Sequence, residues 1–166
     1  IWDNGNPAYS ASGSSNWPTK KKLLKDGSHA AELQTRSVLG IIASGNLFTG
    51  RVVRNMSLKQ LIGFTDKDGK ALIEWGVPFE ARPVGFSVKF KYDGLGDSCT
   101  VMATLENRKK EKRRFVGVAW YSATIDNDTS KEGVISISEP DENGLRTLKT
   151  KFIYGKQHRN SDPLPD

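Results

Sequence analysis

Apolar and polar residues alternate strictly between Val84 and Tyr92, and this pattern constrains the fold more than any other feature of the sequence. The even positions are Val84, Phe86, Val88, Phe90 and Tyr92, and the odd positions are Gly85, Ser87, Lys89 and Lys91. Successive side chains of a β-strand point to opposite faces of its sheet. The alternation therefore predicts a strand with one buried face and one face in water.

Several other segments are also typical of strands. They are Ala30–Arg36, Ser98–Asn107, Arg113–Ala123, Val134–Ser138 and Leu145–Tyr154. The turn-forming residues Asp93–Asp97 predict an antiparallel hairpin between the first strand and Ser98–Asn107. Helical spacing is confined to Ser57–Ile62, and residues 1–28 predict an irregular loop. Many strands joined by Gly, Asn and Asp turns indicate an all-β sandwich or barrel. Its expected core residues are Phe86, Val88, Phe90, Val101, Leu105, Val118 and Phe152.

Length and charge narrow the class of protein. The chain has 166 residues and a net charge of +6, which fits one soluble domain over 1–166. Much of the positive charge lies in Lys20–Lys22 and Arg108–Arg114, and such runs are typical of solvated turns. The second run lacks the interleaved aromatic residues of single-strand binders, so we expect no nucleic-acid partner. No apolar run approaches the roughly 20 residues of a membrane span, so we expect no direct membrane insertion.

Catalytic and metal-binding patterns are weak. His29 follows a Gly-Ser turn and His158 lies in a polar segment, so neither predicts the base of a nucleophilic triad. Asp66 and Asp68 resemble part of a calcium loop, but Val77 occupies the position that needs a bidentate acid. We therefore predict no catalytic residue, no metal and no cofactor.

Two further observations bear on chemistry. The single cysteine, Cys99, excludes an internal disulfide and alternates with apolar residues, which favours an inert core position. Four glutamates lie in or near predicted strands, and glycoside hydrolysis would need two carboxylates facing each other within roughly 5–10 Å. These residues are Glu32, Glu74, Glu80 and Glu106. The sequence does not pair them, so an enzymatic alternative stays open.

Two motifs carry a resemblance to a known family. Gly45–Gly50 reads GNLFTG and Gly76–Pro83 reads GVPFEARP, followed by a continuous stretch through Arg108. With Trp2–Asn6 and Ala30–Thr35, they resemble the carbohydrate-metabolism domain family of secreted and surface-attached proteins of gut bacteria. The motifs also have a structural interpretation. Glycines bracketing Leu47 and Phe48 suit a short buried strand, and Pro78 and Pro83 suit an edge strand over Phe79–Arg82.

The resemblance covers roughly Trp2–Tyr154 and implies a fold. The family resembles galactose-binding-like carbohydrate-binding modules, which are antiparallel β-sandwich jelly rolls, often carried after an immunoglobulin-like domain. It implies an extracellular or outer-membrane-surface location, with the periplasm as an alternative. Family members usually end in a strand with a Gly-Ser stretch and an acidic residue, and no such segment follows Tyr154. We therefore expect a fragment missing its C-terminal closing segment, without one usual calcium ligand.

Aromatic residues supply the candidate site. A flat ring can stack on the apolar face of a sugar while nearby polar groups hold its hydroxyls. We predict stacking by Trp17, Trp75 and Tyr121, with polar contacts from Arg82 and Asp126. In the alternative interpretation, Trp75 and Tyr121 fill the sandwich core.

The expected function is therefore that of a non-catalytic carbohydrate-binding module whose partner is a glycan. Two alternatives remain: a glycoside hydrolase-like enzyme, and a structural or adhesion module that binds protein partners through an exposed sheet face.

Overall fold

A computed structural model describes residues 2–11, 13–38, 40–52, 73–94, 96–109, 112–123 and 130–155. These residues are mostly in antiparallel strands with almost no helix, which confirms the all-β prediction. The chain divides into two compact units, Ile1–Glu80 and Ala81–Asp166. Within the part of the chain that the structure describes, no helix combines the length and apolar character of a membrane span.

The described residues of the first unit form seven short strands and one helix. They are β1 (Trp2–Asp3), α1 (Asn6–Ala11), β2 (Thr19–Leu23), β3 (His29–Leu33), β4 (Arg36–Val38), β5 (Ile41–Ala43), β6 (Phe48–Val52) and β7 (Ile73–Trp75). Strand β6 lies between β1 and β7 in one sheet, while β2–β3 and β4–β5 form two separate hairpins.

Residues 1–28 are therefore not an irregular loop, and that prediction was wrong. The Oδ1 atom of Asn4 accepts the Asn6 amide N–H at 2.9 Å, which satisfies a free donor at the start of α1. Pro7 follows in the first turn, where its missing N–H costs nothing. Tyr9 of this helix is buried, and its hydroxyl donates to the Arg36 carbonyl. These cues are local, but a helix of six residues is too short to leave a clear periodic pattern of apolar residues in the sequence.

In the second unit, the residues that the structure describes form seven strands in two sheets. The strands are β8 (Ser87–Phe90), β9 (Cys99–Lys109), β10 (Lys112–Ala123), β11 (Ser130–Glu132), β12 (Val134–Ile137), β13 (Arg146–Thr150) and β14 (Ile153–Tyr154). Strand β10 pairs with β9 along its length and with β11 and β14 on its other edge. Strand β13 lies between β12 and β8 in the other sheet.

The core of this unit is formed by both sheets, which gives sandwich-like packing. Tyr121, Ala123 and Leu148 are buried at its centre. Partly buried residues surround them: Phe86, Val88, Phe90, Tyr92, Cys99, Val101, Val134 and Ile137. Four of the seven expected core residues therefore belong to this cluster. Val118 is also buried, whereas Leu105 and Phe152 are only partly buried.

Strand pairing corrects the predicted hairpin. Strand β8 pairs with β13, not with β9, so that Val88 lies opposite Leu148. Leu148 is completely buried, and this non-local contact decides the pairing. The Asp93–Asp97 segment still turns the chain, with the Asp97 amide bonded to the Gly94 carbonyl at 2.5 Å.

Four further segments differ from the sequence predictions. The Arg108–Arg114 run is not a loop throughout, because β9 continues to Lys109 and β10 begins at Lys112. The Phe79–Arg82 segment is not a strand, and the Phe79 side chain is 59% exposed. Ala30–Arg36 and Leu145–Tyr154 are each divided between two strands. The predicted helical turn at Ser57–Ile62 and the Asp66–Asp68 turn lie outside the described residues.

Candidate functional site

An open groove of about 550 Å³ lies in the first unit beside Trp17. The Trp17 side chain is 44% exposed, although the next two residues, Pro18 and Thr19, are buried. Trp17 is therefore an accessible ring on an anchored main chain. The groove is lined by Asn4, Asn6, Trp17, Thr19, Lys20, Lys21, Ala30, Ala31 and Leu47.

Hydrogen bonds fix the main chain next to Trp17. The Nδ2 atom of Asn6 donates to the Thr19 carbonyl at 2.7 Å, and Asn6 Oδ1 accepts the Thr19 amide N–H at 3.2 Å. The Thr19 hydroxyl donates to the Asn46 carbonyl at 2.9 Å. The Gln34 amide donates to the Pro18 carbonyl at 2.8 Å. A buried backbone held in this way keeps the neighbouring indole in place.

The GNLFTG motif supports this arrangement structurally. A Cβ atom on Gly45 would lie 2.6 Å from the Pro18 carbonyl oxygen, so a larger residue would displace the segment below Trp17. The Asn46 Oδ1 atom accepts the Gly5 amide N–H at 2.7 Å, which links the motif to the segment before α1. Leu47 lines the groove. At Gly50, φ is 135° and a Cβ atom would overlap the Glu74 carbonyl oxygen, so only glycine fits between β6 and β7.

The polar side chains at the groove differ in the hydrogen bonds and ion pairs that they already make within the protein. Lys22, the neighbour of the lining lysines, forms an ion pair with Glu32, with Nζ and Oε1 2.6 Å apart. This hydrogen bond holds the pKa of the Glu32 carboxyl below its usual value. The Lys20 ammonium group contacts the Asn16 amide oxygen at 3.4 Å and interacts electrostatically with the Glu32 carboxylate. The Lys21 side chain has no ion-pair or hydrogen-bond partner among the described residues.

Trp75 packs within its own sheet. Its ring centroid lies 4.7 Å from that of Phe48, with the planes tilted by 50°. It pairs with Gly50 in the β6–β7 register and is partly buried. Trp75 does not line the groove, whereas Trp17 does. The groove therefore gives no support to the predicted stacking role of Trp75.

Tyr121 does not meet the accessibility that its predicted role requires. It is 3% exposed at the centre of the second unit's core, and its ring lies 5.5 Å from that of Phe90. Tyr121 therefore stabilises the sandwich and offers no face to a sugar, as the alternative interpretation held.

Of the two predicted polar contacts, the structure describes Arg82 but not Asp126. The Arg82 guanidinium lies 4.1 Å from the centroid of the Tyr154 ring, a cation–π contact. The Tyr154 hydroxyl donates to the Pro83 carbonyl, which keeps the ring under Arg82. Asp126 lies outside the described residues. Trp17 alone among the described candidate residues lines the groove.

Sequence reasoning missed the polar lining of the groove. Asn4 and Asn6 belong to the WDNGN segment, and their side chains bind neighbouring backbone groups. The Lys20–Lys22 run is typical of a solvated turn, whereas Lys20 and Lys21 lie on β2. The signal that would have found them is the placement of a lysine run three residues after an exposed tryptophan.

The carboxylates offer little support for hydrolysis. Glu74 is bound by Arg51 across β6 and β7, with Nε and Oε2 2.6 Å apart, and this bond lowers the Glu74 pKa. The Glu32 pKa is lowered in the same way by Lys22. A general acid of a glycosidase needs a raised pKa, so these two residues are unsuited to that role. Among the described residues, no three His, Cys, Asp or Glu side chains gather in a way that could hold a metal ion.

Comparison with known proteins does not place the chain in a family. No family model matches it, and neither a curated protein nor a solved structure does so.

Proposed function

We propose that this chain is a non-catalytic carbohydrate-binding module that binds a glycan in the groove beside Trp17. One observation carries the proposal: a half-exposed indole on a buried, hydrogen-bonded main chain borders a groove of about 550 Å³ that is also lined by two asparagines. That size falls within the roughly 300–1,000 Å³ of small-ligand sites.

The chemistry of the lining suits a sugar. The C–H face of a pyranose is apolar and matches the Trp17 indole, while its rim of hydroxyls needs placed donors and acceptors. The indole N–H of Trp17 and the Asn4 Nδ2 group have no hydrogen-bond partner within the described ranges, so both are free to meet hydroxyls. Because the scaffold is already hydrogen-bonded, little ordering would be needed on binding.

The proposal extends to fold and location. The antiparallel sheets are compatible with a galactose-binding-like jelly roll, and the ordered GNLFTG and GVPFEARP motifs supply the resemblance to a carbohydrate-metabolism domain. A module of that family would act outside the cell or at the outer-membrane surface, as part of a longer chain with an immunoglobulin-like domain upstream. Its partner would be a polysaccharide or glycoconjugate.

A glycan array followed by calorimetric titration of the best ligand tests the proposal. Trp17→Ala should abolish measurable binding without lowering the melting temperature by more than a few degrees, because Trp17 is only partly buried. Trp2→Ala is the matched control, since Trp2 is 67% exposed and lies outside the groove lining. Equal binding by the wild type and Trp17→Ala would refute the groove as the site.

A structural or adhesion module is the second candidate. Leu23 and Ile42 lie on separate hairpins of the first unit and are both largely exposed, as is Trp2. Exposed apolar side chains of this size mark protein contacts when they form a contiguous patch. An array without hits, together with concentration-dependent self-association lost in Ile42→Ser, would favour this candidate.

A further inference from the structure

The charged residues that line the groove are all basic. Lys20 and Lys21 line the groove, and none of the nine lining residues is acidic. The nearby acidic side chains are already engaged. Asp3 accepts the backbone amides of Asn4 and Val52 at 2.9 and 2.8 Å, and Glu32 is bound to Lys22 at 2.6 Å. The groove is therefore lined by two lysines and by no acidic residue.

The β2–β3 register explains why three consecutive lysines behave differently. Lys20 lies opposite Glu32, but the Glu32 carboxylate bonds Lys22, which is diagonal to it. Lys21 lies opposite Ala31 on the other face of the hairpin. The small side chain of Ala31 leaves the lysine accessible and supplies no counter-charge. Lys22 is thus held by Glu32, whose carboxylate also attracts Lys20 electrostatically, whereas Lys21 on the other face has no such counter-charge and remains available to a ligand.

Distance along the chain links these cations to the indole. Three residues of strand span at most about 10 Å, so Lys20 begins one short step from Trp17. A lysine stem can extend along the groove with its ammonium group in water. An anionic substituent on a sugar stacked against Trp17, or on the next ring of an oligosaccharide, is within reach.

We infer that the groove selects acidic sugars, those carrying a carboxylate or sulfate group, with Lys21 binding the anion while Trp17 holds the ring and Lys20 adds positive charge beside them. This inference rests on the proposed function of the same groove. The net charge of +6 adds long-range attraction for such a ligand.

A sugar fits this lining better than a nucleic acid does. Sequence-tolerant single-strand binding uses aromatic residues on which successive bases stack. The groove offers one such ring, Trp17, and its other lining residues are amides, lysines, alanines, a threonine and a leucine. The Trp17 ring with a lysine beside it suits a single sugar ring that bears one anionic group.

Two matched pairs of probes test the inference: polygalacturonate with its carboxyl-reduced form, and dextran sulfate with dextran. Calorimetric titration at about 50 mM salt should give at least tenfold tighter binding of the anionic member of the better pair. The doubly substituted Lys20→Gln/Lys21→Gln variant should lose that tenfold preference and retain the neutral sugar's affinity. Lys149→Gln/Lys151→Gln removes the same charge from exposed residues outside the groove and should leave the preference unchanged.

The outcomes separate the inference from the proposed function. Equal affinity for charged and uncharged members, with both lost in Trp17→Ala, would overturn the acidic preference and leave the sugar site intact. Absence of all sugar binding would overturn both. An oligonucleotide that binds as tightly as the acidic glycan, and does so equally in Trp17→Ala, would reduce the lysines to general polyanion attraction and overturn the inference.

Discussion

The side chain of Asn6 makes two hydrogen bonds to the backbone of Thr19, donating to its carbonyl at 2.7 Å and accepting its amide N–H at 3.2 Å. This pair joins α1 to β2 across 13 residues of chain and anchors the segment that carries Trp17. The accessible ring of the groove thus depends on a polar contact that is itself partly buried.

Asn6→Ala should destabilise the first unit and weaken glycan binding together. Removing the amide leaves both backbone groups of Thr19 without these partners, at a cost of about 1–3 kcal/mol. Chemical denaturation followed by tryptophan fluorescence measures this loss. Asn16→Ala is the control, because Asn16 is exposed and its side chain makes only a 3.4 Å contact with Lys20. Equal stability of the two variants would contradict the anchoring role.

Gly50→Ala should be more damaging than Gly76→Ala. Both glycines have positive φ, 135° and 80°, so both substitutions carry backbone strain of about 1–2 kcal/mol. At Gly76 nothing lies within 4 Å of an added Cβ atom, whereas at Gly50 that atom would overlap the Glu74 carbonyl oxygen. Urea unfolding should therefore give a loss of about 3 kcal/mol or more for Gly50→Ala. A cost no greater than that of Gly76→Ala would argue against the tight β6–β7 approach.

Tyr121→Ala should act on stability and not on recognition. Truncating this buried aromatic beside Phe90 and Leu148 should cost about 3–5 kcal/mol of unfolding free energy. Met102→Ala is the control on the neighbouring strand, where the side chain is largely exposed, and should cost under about 1 kcal/mol. A stable Tyr121→Ala variant that no longer binds glycan would restore Tyr121 as a site residue.

Asp141 should make the turn before β13 sensitive to acid. The Leu145 amide N–H and then Lys89 lower the pKa of this carboxyl below its ordinary 3.8. A lowered folded-state pKa stabilises the protein above about pH 4, and that stabilisation is lost as the pH falls through the folded-state value. The melting-temperature gap between the wild type and Asp141→Asn should therefore close as the pH is lowered from 7 to about 2.5.

Lys89→Gln separates the two causes of this shift. It removes the ion pair but leaves the backbone hydrogen bond, which is the larger cause, so it should keep much of the acid sensitivity. A pH profile of Lys89→Gln identical to that of Asp141→Asn would show that Lys89 alone sets the shift.

Local patterns predicted most strands, and non-local contacts decided the rest. Alternation identifies β8 because a strand's period is a property of its own residues. The pairing of β8 depends on Leu148, some 60 residues later. Leu148 is completely buried, and the sequence pattern does not predict that burial. Turn residues after Tyr92 therefore suggested the wrong hairpin.

The candidate site follows the same division. Exposure of Trp17 was predictable from its loop beside Pro18, and the structure confirms that exposure. The face of Tyr121 was harder to predict, because the register of β9 and β10 shifts between Phe115 and Gly117 and residues Gly117–Ala119 are buried on both faces. Asn4 and Asn6 line the groove because of tertiary contacts, and no spacing pattern in the sequence predicts those contacts.

The most direct test of the account observes the indole N–H groups during glycan titration. The four tryptophans give four indole signals in a nitrogen-15 correlation spectrum, and Trp17→Phe identifies that of Trp17. The account predicts that the Trp17 signal shifts most and saturates with the calorimetric dissociation constant, while the Trp2 signal stays near its free position. A saturating shift at another tryptophan with the Trp17 signal unchanged would contradict it.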